Sequence, residues 1–293
     1  ALPLTNPVGT APCFLSEDVA GRGCIISLPG VPRELEYMMK NTVIPLLIER
    51  MGGVQVVKVR ILRTAAVGES NVDRGIGDLM TVSNPTVGLA AHAGQTDVRI
   101  TAKAPTEEEA EALIGPMETK LRERLGVAIY GTGKETVAQV VGQLLVDKGL
   151  QLGVVDTLTG GQLVRELVEA GFRDVISTDL NSDSPATDWS SVALEGSPTF
   201  AEDVDIVDLT TALAAKAAPA KGLSLALLGP TVNTDGSLTA THMALHGPAD
   251  IRLSEPGRVY QDTDYTRRWL VTQGLDWVRR AALGEMVSPV DWK

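Results

Sequence analysis

Aromatic residues are scarce. Three Phe, four Tyr and four Trp make up 4% of 293 residues. Aliphatic side chains must therefore fill the cores. There are two cysteines, Cys13 and Cys24. That excludes a disulfide framework and a cysteine-based zinc site, and two thiols suit a cytoplasmic protein. No apolar run is long enough to span a bilayer, and no segment has the make-up of a signal peptide. No membrane partner is expected. Cations are outnumbered, with 26 Lys and Arg against 37 Asp and Glu and a net charge of −11. Binding a phosphate backbone needs clustered Lys and Arg, so no nucleic-acid partner is expected. The sharpest local lack runs from 174 to 215. It holds no Lys and no Arg, and nine carboxylates. The first residue is not Met; "ALPLTNPVGTAPCF" starts in mid-phrase and reads as a fragment of a longer chain.

What is there has the composition of a globular protein of two or three domains, 44% hydrophobic and 22% charged. Residues 1–52 read as loop, strand "GCIISL", turn "PGVP" and a helix in which Pro45 marks a kink. Residues 53–130 read as a small α+β unit. Its first strand, "VQVVKVRILR", places Val57, Val59 and Ile61 on one face, expected to be the covered one. A short helix, a hairpin turning at Ala93-Gly94-Gln95 and a helix capped by Thr106 follow. "YGTGK", Tyr130 to Lys134, reads as a linker. Residues 135–293 alternate helix and strand, which predicts an α/β layer structure. The acidic alternation from Glu202 to Asp208 suggests a strand or a charged edge. The last helix is expected at 264–283. His242 and His246, on or just after a predicted strand, read as packed or surface side chains.

Three stretches together resemble the CinA family of competence/damage-inducible proteins. "NPVGTAPCF" and "LPGVPRELEYM" are similar to phrases late in its molybdopterin-binding-like domain. "NPTVGLAAHAGQTDVRITAKA", with the helix after it, is similar to its KH-like domain. "VAQVVGQLLVDKGLQLGVVDTLTGGQLVREL" resembles the start of its C-terminal domain, a nicotinamide mononucleotide deamidase in relatives. The resemblance implies an α/β protein in three parts: a partial molybdopterin-binding-like segment at 1–52, a KH-like α+β domain at 53–130 and the deamidase-like domain at 135–293. It also implies a homodimer, and nicotinamide mononucleotide or a related nucleotide as partner.

The family's AESCTGG phrase falls on Val155 to Gly161, which puts its nucleophilic serine at Thr157. A hydroxyl attacks an amide only when a base takes its proton. The family's lysine base should follow about thirty residues on, inside the stretch without cations. The glycine-rich loop of relatives corresponds to "GPTVNTDGS", where Gly229 and Pro230 match. Near the end Asp262 and Arg267 match a basic phrase whose first arginine is Asp264 here. Thr159, Gly160, Gly161, Gly229, Pro230 and Arg267 remain candidate ligand contacts, since glycines and helix-start N–H groups admit an anion. Expected, then, is a catalytically degenerate domain with a nucleotide-binding or assembly role. The alternatives are an amidohydrolase working through Thr157, or a fragment of an ADP-ribose pyrophosphatase.

For that last reading Asn6, Gly9, Thr10, Gly30, Pro32 and Glu34 match the molybdopterin-like pocket. The resemblance implies a divalent metal there only with the complete N-terminal domain; no cofactor is expected in the C-terminal one. Asp179, Asn181 and Asp183 have the opening spacing of a calcium loop. Position six is Ser184 rather than Gly and position twelve Ser190 rather than Glu, so no metal is expected.

Overall fold

Two clusters of elements, each with its own sheet or sheets, divide this chain in a computed structural model. It describes residues 1–18, 20–21, 23–53, 55–181, 206–228, 242–247, 251–253 and 264–285. Ala1–Val57 with Lys103–Ala110 form the first unit; Lys58–Ala102 with Glu111–Lys293 form the second.

In the first unit β1 (Leu2–Leu4), β2 (Cys13–Glu17) and β3 (Cys24–Ser27) make an antiparallel sheet in that order. The predicted helix follows in three pieces: α1 (Pro32–Met38), a π-helical stretch (Met39–Val43) and α2 (Ile44–Arg50). Pro45 accounts for the wide turn. It has no N–H to donate, and its ring crowds the carbonyl four residues back. Widening the helix by a residue relieves that crowding.

β4 (Val56–Ala65) leads into the second unit, followed by α3 (Glu69–Ile76), β5 (Thr86–His92), β6 (Gln95–Ala104), α4 (Glu107–Leu125) and β7 (Ile129–Thr132). The four strands lie in the order β5-β6-β4-β7. One expectation is reversed here: Val57 and Val59 are exposed. The opposite face carries Lys58 and Arg60 to α4, where Arg60 pairs with Glu111 at 2.7 Å and Glu118 at 2.5 Å, and Lys58 with Glu111 at 2.9 Å. Alternation in a strand defines two faces without saying which is covered, and long cationic side chains can cover a helix with their stems. The expected linker is also corrected. Tyr130–Thr132 belongs to β7, and Tyr130 is buried, with Oη 3.1 Å from Gln95 Oε1 and 3.3 Å from the Glu135 carbonyl.

The α/β layer then begins. α5 (Val137–Lys148) is capped by a reciprocal Thr136–Gln139 box and stopped by Gly149 in the left-handed conformation. β8 (Gln151–Asp156), α6 (Gln162–Glu169), β9 (Ile176–Asn181), α7 (Ile206–Lys216), β10 (Gly222–Leu228), β11 (His242–His246), β12 (Ile251–Leu253) and α8 (Asp264–Leu283) follow. The sheet order is β12-β11-β10-β8-β9, with β8 parallel to both neighbours and β11 antiparallel to β10. Every residue of β10 is buried. That is the mark of a strand covered on both faces. Side chains of α5, α6 and α8 form one core with Leu152, Val154, Leu225 and Leu227. Leu209, Leu213 and Ala214 of α7, with Ala217 just after it, form the other with Val155, Ala226, Leu228 and Ala244. The acidic run expected to be a strand is therefore helical from Ile206 on; residues 202–205 lie outside the described residues.

α8 is buried almost all round. Towards the sheet Gly274 leaves no room for a Cβ, which would sit 2.9 Å from Leu163 Cδ1 and 3.0 Å from Leu225 Cδ2. Elsewhere on the helix, Trp269 and Thr272 close over Gly94, the tip of the β5–β6 hairpin. Gly94 has φ +72° as well, so a side chain is disfavoured twice there. Further along, Asp276 receives Arg279 Nε at 2.9 Å and Nη2 at 2.6 Å on one oxygen, and Arg280 Nε at 2.6 Å on the other. Arg279 also donates to the Val127 carbonyl. All three side chains are at most 4% exposed. Burial pushes the Asp276 carboxyl up, and the two guanidiniums pull it back.

Removing one partner of a buried ion cluster strands the others. Asp276→Ala should lower unfolding free energy by about 3–5 kcal/mol in urea titrations; a loss below 1 kcal/mol contradicts this account. Burial also raises the Tyr130 phenol to about 12. An unfolded tyrosine ionises near pH 10, so the stability contributed by the neutral phenol is complete below pH 10 and is lost as pH rises towards 12. Over that window the urea midpoint should fall more steeply for the unaltered chain than for Tyr130→Phe.

Candidate functional site

Ligands of open α/β sheets sit outside the carboxyl ends of the strands, where successive connections leave to opposite sides. Here that point lies between β8 and β10. From β8 the chain passes through α6 to β9 on one side; from β9 it passes through α7, on the opposite face, to β10 on the other. The turn Thr157–Gly161 follows β8 at this place.

Asp156 organises the turn. Its side chain is buried and accepts four hydrogen bonds within it. The donors are the amides of Leu158 (3.0 Å), Thr159 (2.7 Å) and Gly161 (3.1 Å), and the Thr159 hydroxyl. Burial pushes the carboxyl up, and the donors oppose it. Gly160 and Gly161 have φ +64° and +75°, which lets the chain fold back over the carboxylate. Gly161 begins α6, and a Cβ on it would come within 3.1 Å of Asn181 Nδ2. Arg165 Nη1 donates to the Gly160 carbonyl at 2.6 Å. Thus three amides that the glycine turn turns inward meet a carboxylate of the chain itself.

Thr157 is 5% exposed, and its N–H continues the ladder to the Leu227 carbonyl at 2.9 Å. Arg267 lies half-buried in the first turn of α8. Gly229 and Pro230, the family's lysine position, and Asp183 to Ser190 of the calcium-like spacing lie outside the described residues. A cavity of about 310 Å³ opens beside the turn between α6 and β9, lined by Gly161, Arg165, Glu169, Arg173, Asp179 and Asn181 among others. Thr157 does not line it. The cavity thus lies beside the point where the connections diverge, not at Thr157. Among the described residues no cluster of three or more His, Cys, Asp or Glu could hold a metal ion, and no helix is long and apolar enough to cross a membrane.

The first unit gathers part of its candidate set. Asn6 Nδ2 donates to Glu34 Oε2 at 2.7 Å and to the Ala11 carbonyl at 3.3 Å. The Glu34 carboxylate lies so close to Gly9 that a Cβ there would overlap it. Thr10 and Gly30 are exposed, and Pro32 occupies the first turn of α1.

His242, read from the sequence as a packed or surface side chain, is packed: it is 7% exposed and opens β11 opposite Leu228.

A family model for the damage-inducible protein CinA KH domain matches residues 59–131. A CinA-like protein of Frankia casuarinae is 33% identical over 297 residues, covering 97% of this chain and 67% of its own length. A Clostridium perfringens relative, named for competence and damage induction, is 46% identical over 170 residues, 57% of this chain and 40% of its own. A crystal structure of a CinA superfamily protein from Enterobacter cloacae aligns with 55% of this chain and 97% of its own, at 20% identity and a TM-score of 0.40.

The Asp156 geometry generates a direct test. An asparagine keeps the shape but offers one oxygen and a donor where two acceptors are needed. Asp156→Asn should lose about 1–3 kcal/mol of stability by urea titration; an unchanged midpoint would show that the turn stands without the carboxylate.

Proposed function

The chain belongs to the CinA family, and on that premise we propose that its C-terminal layer is a deamidase frame that binds a nicotinamide nucleotide, or a close relative, without hydrolysing it. The observation that carries the reading is the lack of a base for the residue in the nucleophile's place. Asp156, standing where the family phrase has its own acidic residue, shapes the turn through the amides of Leu158, Thr159 and Gly161. Thr157 stands in the nucleophile's register, and the 42 residues from 174 to 215 contain no amine to serve as its base. Thr159, Gly160 and Gly161 act in this reading as the frame of the pocket, and Gly229, Pro230 and Arg267 as its further contacts. A second copy of the chain is the expected partner, by resemblance.

A second, separate reading concerns the first unit. The contacts among Asn6, Gly9 and Glu34 support a wall of a pyrophosphate-type pocket, as the resemblance implies.

Purified protein mixed with nicotinamide mononucleotide should release no ammonia above the blank. Turnover that disappears in Thr157→Ala would falsify the non-hydrolytic reading. Calorimetric titration with nicotinamide mononucleotide should give a saturable signal. Silence at millimolar ligand, with ADP-ribose equally silent, leaves assembly as the role of the domain.

A further inference from the structure

We infer that the cavity between α6 and β9 is a binding site for a small zwitterion, a free α-amino acid with an aliphatic side chain. Thr157 does not line this cavity, and the inference stands apart from the nucleotide reading above.

The cavity measures about 310 Å³, at the small end of the range that ligand pockets occupy. One wall is a face of α6. Val164, Arg165 and Val168 recur there at helical spacing, with Glu169 one turn beyond Arg165. The other wall is Arg173, just before β9, with Asp179 and Asn181 two residues apart on one face of the strand. Two guanidiniums and two carboxylates therefore line one small space, and their charges sum to zero. The valines add an apolar strip on the α6 wall; Val168 is 39% exposed.

The four charges do not pair off with one another. Arg165 Nη1 donates to the Gly160 carbonyl at 2.6 Å and Nη2 to Gln162 Oε1 at 3.1 Å. A guanidinium has five N–H donors, so these two bonds aim the group and leave donors over. Glu169 follows Arg165 by four residues, the weaker order for an ion pair along a helix. Asn181 Nδ2 donates to Asp179 Oδ1 at 3.0 Å, which leaves the carboxylate its other oxygen. Among the described residues neither the Glu169 nor the Arg173 side chain has an ion pair or a hydrogen bond. Arg165, Glu169, Arg173 and Asp179 are exposed, so a solute can reach all four. A simple anion would meet the two guanidiniums with two carboxylates still facing it, and a simple cation the reverse. A ligand with both signs on neighbouring atoms satisfies both. Arg165 and Glu169 stand one turn apart, about 5–6 Å, a span that the carboxylate and ammonium of one amino acid can bridge. Its side chain then falls on the valines, which favour an aliphatic one.

The test titrates L-leucine into the unaltered chain by calorimetry and saturation-transfer NMR. Beside it run L-leucinamide, which lacks the carboxylate, and isocaproate, which lacks the amine. Leucine should bind saturably at millimolar concentration. Each analogue should bind about tenfold more weakly, because one charge-assisted contact is lost. Glu169→Gln and Arg173→Gln should each weaken leucine binding about tenfold as well, with urea unfolding as the check that the fold is kept. The analogue series needs no variant and decides even if a substitution disturbs folding. Silence of leucine, isoleucine and valine alike overturns the inference. So does an analogue that binds as tightly as leucine, or full affinity in both variants. Binding or silence of nicotinamide mononucleotide bears on the functional reading alone.

Discussion

The second unit depends on a charged cluster in the middle of its last helix. Asp276, Arg279 and Arg280 are all withdrawn from water, and each needs the others there. Arg279 also holds the Val127 carbonyl, just before the edge strand β7. On the same helix Gly274 meets α6 and β10, while Trp269 and Thr272 meet the hairpin tip at Gly94. Helix α8 therefore serves two sheets at once. A helix with this task cannot be amphipathic in the usual sense, because it has almost no solvent side.

Around that helix the five-stranded sheet is organised by where its connections leave. α6 and α7 cover opposite faces, so the carboxyl ends of β8 and β10 form a divide. Asp156 and Thr157 stand at the divide, one residue apart. The first closes the glycine turn; the second continues the ladder through its N–H to the Leu227 carbonyl.

Much of this was legible from the residues. The last helix was expected at 264–283 and lies there. The turn after β8, the hairpin at Ala93–Gly94 and the Thr106 cap were also readable, because capping and turn chemistry are local. Three things were not. The covered face of β4 could not be read, since alternation is symmetric until Glu111 and Glu118 claim Lys58 and Arg60. The strand β7 looked like a linker, because its glycine-rich "YGTG" hides the one burying residue, Tyr130. The pairing of His242 with Leu228 could not be read either, because register between strands distant in sequence is a long-range property.

A turn that contains its own counter-charge does not wait for a ligand to take shape. Asp156 holds Leu158, Thr159 and Gly161 in place without help from anything bound. None of these bonds uses the side chain of residue 157, so an exchange there leaves every one of them in place.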